Sequence, residues 1–216
     1  MARLDDKPDQ GVFEKYGLRG FPTVMMLDSK GEKLLDFRPS TEGETLAAIE
    51  DASVLQRSAA ALAANPNDAV ATAELKIVQA LRGTEDVSAE DLKAAAMVSG
   101  VADTLKKRAE EHLARKPVLD AVKNFLESMQ KAAPGDREAL GKEMGNKLYE
   151  MCKNGAVAPE VGSMEWFYYW MLVTEGALAN KDKETGMKAL DALENSPMGA
   201  QLKPQLDQKR KEFDDA

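Results

Sequence analysis

The side chains that most readily do chemistry are scarce in this chain: one cysteine, Cys152, and one histidine, His112, among 216 residues. A lone cysteine permits no internal disulfide and leaves the redox compartment open. Thiol–disulfide exchange needs a thiolate at a helix N-terminus with a second thiol close behind it. Cys152 falls instead near the C-terminal end of an expected helix, where the dipole disfavours a thiolate. It shares a stripe with Leu148, and a small core residue is expected there. His112 follows Glu110 and Glu111 on a charged segment. A histidine-based zinc site or a Ser-His-Asp triad would rest on this residue alone, so a solvated helix face is expected. Glu111 and Arg115, four apart, read as a helix-surface pair. There is no Walker loop and no dinucleotide fingerprint. Carboxylates are plentiful, but spread over helix surfaces they carry no catalytic signal. No catalytic residue, metal or cofactor is expected.

Binding chemistry has one conspicuous candidate. Trp166-Phe167-Tyr168-Tyr169-Trp170 holds five of the twelve aromatic residues. On a helix they point all round, so some must leave the local core. Either a second element covers them, or Trp166, Tyr169 and Trp170 form an interaction surface of the kind Trp and Tyr favour. Nucleic acid is excluded as a partner by the charge. Against 37 acidic residues stand 29 basic ones, net -8, and the short run Lys209-Arg210-Lys211 is followed by Glu212, Asp214 and Asp215. No apolar run is long enough to cross a bilayer. Met1 to Gln10 is polar and acidic rather than a signal peptide, which as written reads as cytoplasmic; loss of an upstream segment would make it periplasmic or secreted.

The elements that must position these residues follow from turn signals and periodicity. Gly11 to Tyr16 reads as a short helix end closed by Gly17. The apolar run Val24-Met25-Met26-Leu27 reads as a strand, Asp28-Ser29-Lys30-Gly31 as a turn, and Glu32 to Arg38 as a second strand, together a β-hairpin. After Pro39, Glu44 to Gln56 reads as a helix with Leu46, Ile49 and Ala52 on its apolar stripe. From Ser58 onward the chain reads as all helix. Asn65-Pro66-Asn67-Asp68 breaks and recaps it before a face of Val70, Ala73, Ile77 and Leu81. Ser88 and Asp91 resemble a capping box, opening a helix expected to bend near Ser99-Gly100 and to stop at Pro117. Leu119, Val122, Phe125, Leu126 and Met129 make the clearest amphipathic face. Leu140, Met144, Leu148 and Cys152 align on the next helix, with Gly155 as its C-cap. Ser163 caps the aromatic helix, Met187, Leu190 and Leu193 mark another, and Leu202, Leu206 and Phe213 the last, with Pro204 near its first turn. The stretch from Ala177 to Pro197 is similar in style to one tetratricopeptide-like helix pair, without a repeat of fixed period.

Tyr16-Gly17-Leu18, Gly20-Phe21-Pro22-Thr23, Val24 to Leu27, Lys30-Gly31 and Lys33 to Phe37 follow one another as do the parts of a known fold. The segment Phe13 to Phe37 resembles the second half of a thioredoxin-like domain, and the helix from Glu44 matches that family's closing helix. The likeness covers about a fifth of the chain. It implies a cis Phe21-Pro22 bond, and it makes Phe21, Pro22 and Thr23 candidate peptide contacts. The alternative is that Pro22 only shapes a tight turn into the strand. The family's first strands, its Cys-x-x-Cys helix and its central strand should precede Phe13, where only twelve residues stand.

The expected fold is therefore α+β: a partial thioredoxin-like αββα unit over residues 1–57, followed over 58–216 by an all-α helical bundle or short α-solenoid of about six helices. The expected function is a non-enzymatic protein–protein interaction module with a protein or peptide partner. A strand at 23–28 that has lost a neighbour invites pairing with another chain. A homodimer through 23–28 is the preferred outcome, with cover by the helical region or by Met1 to Asp6 as the others. The alternative function is a fragment of a thiol–disulfide oxidoreductase whose catalytic half is absent from this chain.

Overall fold

A computed structural model describes residues 10–17, 24–37 and 42–215. Among them are nine α-helices and one two-stranded antiparallel sheet, so the fold is α+β with helix dominating. The first elements run α1 (Gln10–Tyr16), β1 (Val24–Leu27), β2 (Lys33–Phe37) and α2 (Glu42–Ala64). The hairpin forms because Asp28 satisfies its own turn. Its Oδ1 accepts from the Lys30 and Glu32 amides at 2.8 Å each, and Gly31 takes φ 78°, a conformation open to glycine. The Tyr16 hydroxyl donates to the Gly31 carbonyl at 2.9 Å, tying the end of α1 to the turn.

Two features of α2 differ from the expectation. It does not end at Gln56, because Arg57 to Ala64 is an alanine-rich stretch with no breaker before Pro66. The boundary drawn at 57/58 thus falls inside a continuous helix, and the chain divides into compact units at Ala109/Glu110 instead. Its buried stripe is also rotated. Ala48, Asp51, Ala52, Val54 and Ser58 are buried, while Leu46 and Ile49 are 55% and 51% exposed. Small residues face the hairpin, so Ala48 and Ala52 pack with Leu35, joined by Met26, Leu34 and Leu55.

The rest of the first unit is α3 (Ala69–Arg82), α4 (Ala89–Ala96) and the start of α5 (Asp103–Lys131). Asp68 caps α3 by accepting from the Ala71 amide at 2.9 Å, and Ser88 caps α4 through the Asp91 amide at 3.0 Å. The helix expected to bend near Gly100 is two helices, with Gly100 at φ 97° between them. Pro117 does not stop α5. It lies on the exposed side, so the backbone bond it removes is lost next to water while Ala109, Val118 and Val122 on the buried side hold the helix together.

In the second unit α5 is followed by α6 (Arg137–Lys153), α7 (Met164–Ala179), α8 (Lys183–Glu194) and α9 (Gly199–Asp215). Each helix from α6 onward packs on the next in sequence, the pattern of stacked antiparallel pairs. Ser163 caps α7 through the Trp166 amide at 3.0 Å, as its position suggests. Pro204 sits within α9 rather than at its first turn. Glycine sets the α6–α7 crossing: a methyl group at Gly176 would lie 2.2 Å from the Gly145 carbonyl oxygen. No helix among the described residues is long and apolar enough to cross a membrane.

One substitution should therefore act with opposite signs on neighbouring helices. Gly141 on α6 has nothing within 4 Å of an added methyl group, so Gly141→Ala should stabilise by about 0.5–1 kcal/mol through helix propensity. Gly176→Ala must push two backbones apart and should destabilise by about 2 kcal/mol despite the same propensity gain. Urea unfolding followed by circular dichroism measures both.

Candidate functional site

β1 is apolar at every position, the pattern of a strand covered on both faces. Yet among the described residues only β2 pairs with it, and its two ends, Val24 and Leu27, are 40% and 41% exposed. Pairing runs Val24 with Phe37, Met25 with Asp36 and Met26 with Leu35, then shifts so that Leu27 meets Lys33. Leu34 is the extra residue of this bulge, and the shift lets both Leu34 and Leu35 reach the cluster against α2. The hydrogen-bonding direction of β1 follows from the turn. The Asp28 amide donates to the Glu32 carbonyl at 2.9 Å, so by strand alternation Met26 and Val24 turn their backbone groups toward β2. Met25 and Leu27 turn theirs outward.

The two edges of the hairpin differ in charge. β2 carries Lys33 and Asp36, exposed and joined by an ion pair at 2.9 Å. Charges on an edge strand discourage further pairing. β1 has none.

Beneath the hairpin the first unit is tied by a buried carboxylate. Asp51 on α2 is fully buried and accepts from two arginines: Arg82 at the end of α3, and Arg108 on α5, whose two Nη atoms reach its oxygens at 2.7 and 3.0 Å. Arg57 makes a second fork to Glu74 on α3, at 2.9 and 3.1 Å. A groove of about 330 Å³ runs between α2 and the first turns of α5, with Ile49, Val54 and Leu105 as its large apolar lining and Arg57 and Arg108 beside them. Both guanidiniums are thus engaged with carboxylates.

The candidates in the second unit are structural. Trp166, Tyr169 and Trp170 are 6%, 1% and 8% exposed and belong to one core with Val122, Phe125, Leu148, Leu190 and Phe213. The reading of these three as an interaction surface is corrected. α7 lies between α6 and α8, so apolar neighbours cover it from more than one side. Cys152 is half-buried at the edge of that core, beside Tyr169. Burial, then the hydrogen bond with Cys152, holds the Tyr169 phenol well above its usual value. His112 is half-buried rather than fully solvated, and burial followed by Lys116 lowers its pKa. Phe21, Pro22 and Thr23, with the expected cis bond, lie outside the described residues.

One polar cluster was not anticipated. Asp182, the N-cap of α8, accepts from the Thr185 amide and hydroxyl at 3.0 and 2.9 Å, from the Tyr149 hydroxyl at 3.0 Å and from Lys153 Nζ at 2.8 Å. Tyr149 and Lys153, four apart on α6, share the face that meets it. The Lys153 bond, with the Thr185 amide next, holds the Asp182 carboxyl well below the usual carboxylate range. Burial raises the Tyr149 pKa, and the bond to Asp182 raises that of Lys153. Both therefore stay protonated at neutral pH, which suits a pin between helices and not a general base. Among the described residues no group of three or more His, Cys, Asp or Glu could hold a metal ion.

No protein-family model matches the chain, and searches of the curated proteins and of the solved structures found no match.

Two substitutions test this assignment of roles. Asp51→Ala leaves two partly buried guanidiniums without their carboxylate and should cost about 3–5 kcal/mol, read by chemical denaturation. Asp182→Asn keeps a capping side chain but loses the charge opposite Lys153, and should cost about 1 kcal/mol at neutral pH. The Asp182 pKa is depressed in the folded state, so its contribution is present above the unfolded value of about 3.9 and is lost as pH falls through the folded one. The gap between wild type and Asp182→Asn should persist at mildly acidic pH and close only in strong acid.

Proposed function

We propose that this chain is a non-enzymatic protein–protein interaction module, built on a partial thioredoxin-like unit, that associates through strand addition at β1. The observation that carries the proposal is the uncharged, apolar outer edge of β1, unpaired among the described residues and exposed at both ends. Strand addition supplies backbone hydrogen bonds, and the side chains alternating along the edge supply selectivity. A homodimer is the first form of this association. The order helix, strand, strand, helix supports the resemblance to the second half of a thioredoxin-like domain, and the sole cysteine, packed at the edge of a core, argues against thiol–disulfide chemistry by this chain. The same open edge also supports a second reading, a fragment of a thiol–disulfide oxidoreductase. In the resembled fold, strands that should precede Phe13 would lie beside it.

Light scattering behind size exclusion separates the two readings. The interaction reading expects twice the 23.5 kDa chain mass, and a monomer for Met25→Pro. Met25 is the informative position because its amide points outward, so proline removes an edge donor while the β2 ladder keeps its own. A wild-type monomer at all concentrations would sink the homodimer and favour the fragment reading.

A further inference from the structure

We infer that Asn154 is a modification site, at which the Asn154-Gly155 step closes to a succinimide and reopens as aspartate or isoaspartate. The reaction needs no co-reactant but water. The Gly155 amide nitrogen attacks the side-chain carbonyl carbon of Asn154, forming a C–N bond. The side-chain nitrogen is expelled as ammonia and takes the proton of the Gly155 amide with it. Water then adds to either carbonyl of the five-membered ring and breaks one of its C–N bonds. One product is an ordinary aspartate. The other carries the main chain through the former side chain, one methylene longer.

Three observations select this position among the seven asparagines. Asn154 is followed by glycine, whereas the other six precede proline or a residue whose side chain crowds the attacking nitrogen. Its side chain is exposed and makes no hydrogen bond among the described residues. By contrast, Asn146 and Asn180 bond each other at 3.1 Å, and Asn195 donates to the Asp191 carbonyl at 2.8 Å. The space around the step is also open: a methyl group added at Gly155 would meet nothing within 4 Å.

The cap of α6 holds the step back. The Gly155 amide donates to the Cys152 carbonyl at 3.0 Å and the Ala156 amide to the Met151 carbonyl at 2.9 Å. With Gly155 at φ 80°, this is a Schellman arrangement. The attacking nitrogen is released when those two bonds open. The turn before them need not move, because Tyr149 and Lys153 stay tied to Asp182. Even at the upper end of ordinary hydrogen-bond strength, opening two bonds lowers the reactive population about a hundredfold. A helix end therefore slows the reaction without abolishing it. The product does not rebuild the cap: its carboxylate meets the negative end of the α6 dipole, and the longer isoaspartyl backbone misaligns the two cap bonds.

Peptide mapping by mass spectrometry, after incubation of the full chain at mildly alkaline pH, folded and in urea, tests the assignment. Asn154 should convert first of the seven asparagines, to a mixture of aspartate and isoaspartate. The folded chain should react within about a hundredfold of the rate in urea. Gly155→Ala should slow conversion about tenfold in urea, where its effect on the fold plays no part. Earlier conversion of another asparagine overturns the assignment, as does indifference to Gly155→Ala. A folded rate more than about a hundredfold below that in urea overturns it too, because the residue would then react only through wider unfolding.

Discussion

A carboxylate shut away from solvent must find its partners inside the protein, and Asp51 takes them from two other helices. The two arginines come from the last turn of α3 and the second turn of α5, so one side chain fixes where three helices stand. Its position also fixes the rotation of α2. With Asp51 turned toward Arg82 and Arg108, Ala48 and Ala52 fall against the hairpin and Leu46 and Ile49 fall outside. The exposure of those two large residues is a consequence of satisfying a charge. It is not slack packing.

This is also where the sequence is hardest to read. Periodicity alone assigns Leu46, Ile49 and Ala52 to one buried stripe, and a rule that ranks residues by hydrophobicity places Asp51 in water. Only the arginines reverse the order, and they lie 31 and 57 positions away. Local signals fare better because their physics is local. Asp68, Ser88 and Ser163 each cap the helix that begins after them, and the Asp28 to Gly31 turn closes the hairpin. Pro117 shows the limit of such signals: a breaker on the solvent side of a well-buried helix is absorbed by the packing behind it. The candidate edge was legible as an apolar strand. The outward direction of Met25 and Leu27 was not, because it follows from the bond between Asp28 and Glu32.

The two units solve burial differently. In the second, the Gly145–Gly176 crossing brings α6 and α7 into backbone contact, and the aromatic run on α7 then fills the space between neighbours on several sides. A helix that is apolar nearly all round is explained by that central place. Among the described residues the hairpin of the first unit has less cover. Its cluster holds three buried residues, Leu35, Ala48 and Ala52, beneath a two-stranded sheet. Such a sheet is marginal alone, and a third strand or a packed helix is the usual remedy.

α2 supplies that helix here. Of the two places a strand could be added, β2 presents Lys33 and Asp36, and any newcomer must either match them or lose their ion pair and hydration. β1 asks for nothing but backbone donors, backbone acceptors and apolar side chains. An edge of that kind discriminates poorly by charge and strongly by shape and register, because a slip of one residue reverses every face. Leu46 and Ile49 on α2 stay outside the hairpin cluster because Asp51 is held inward by the same two arginines that organise the first unit.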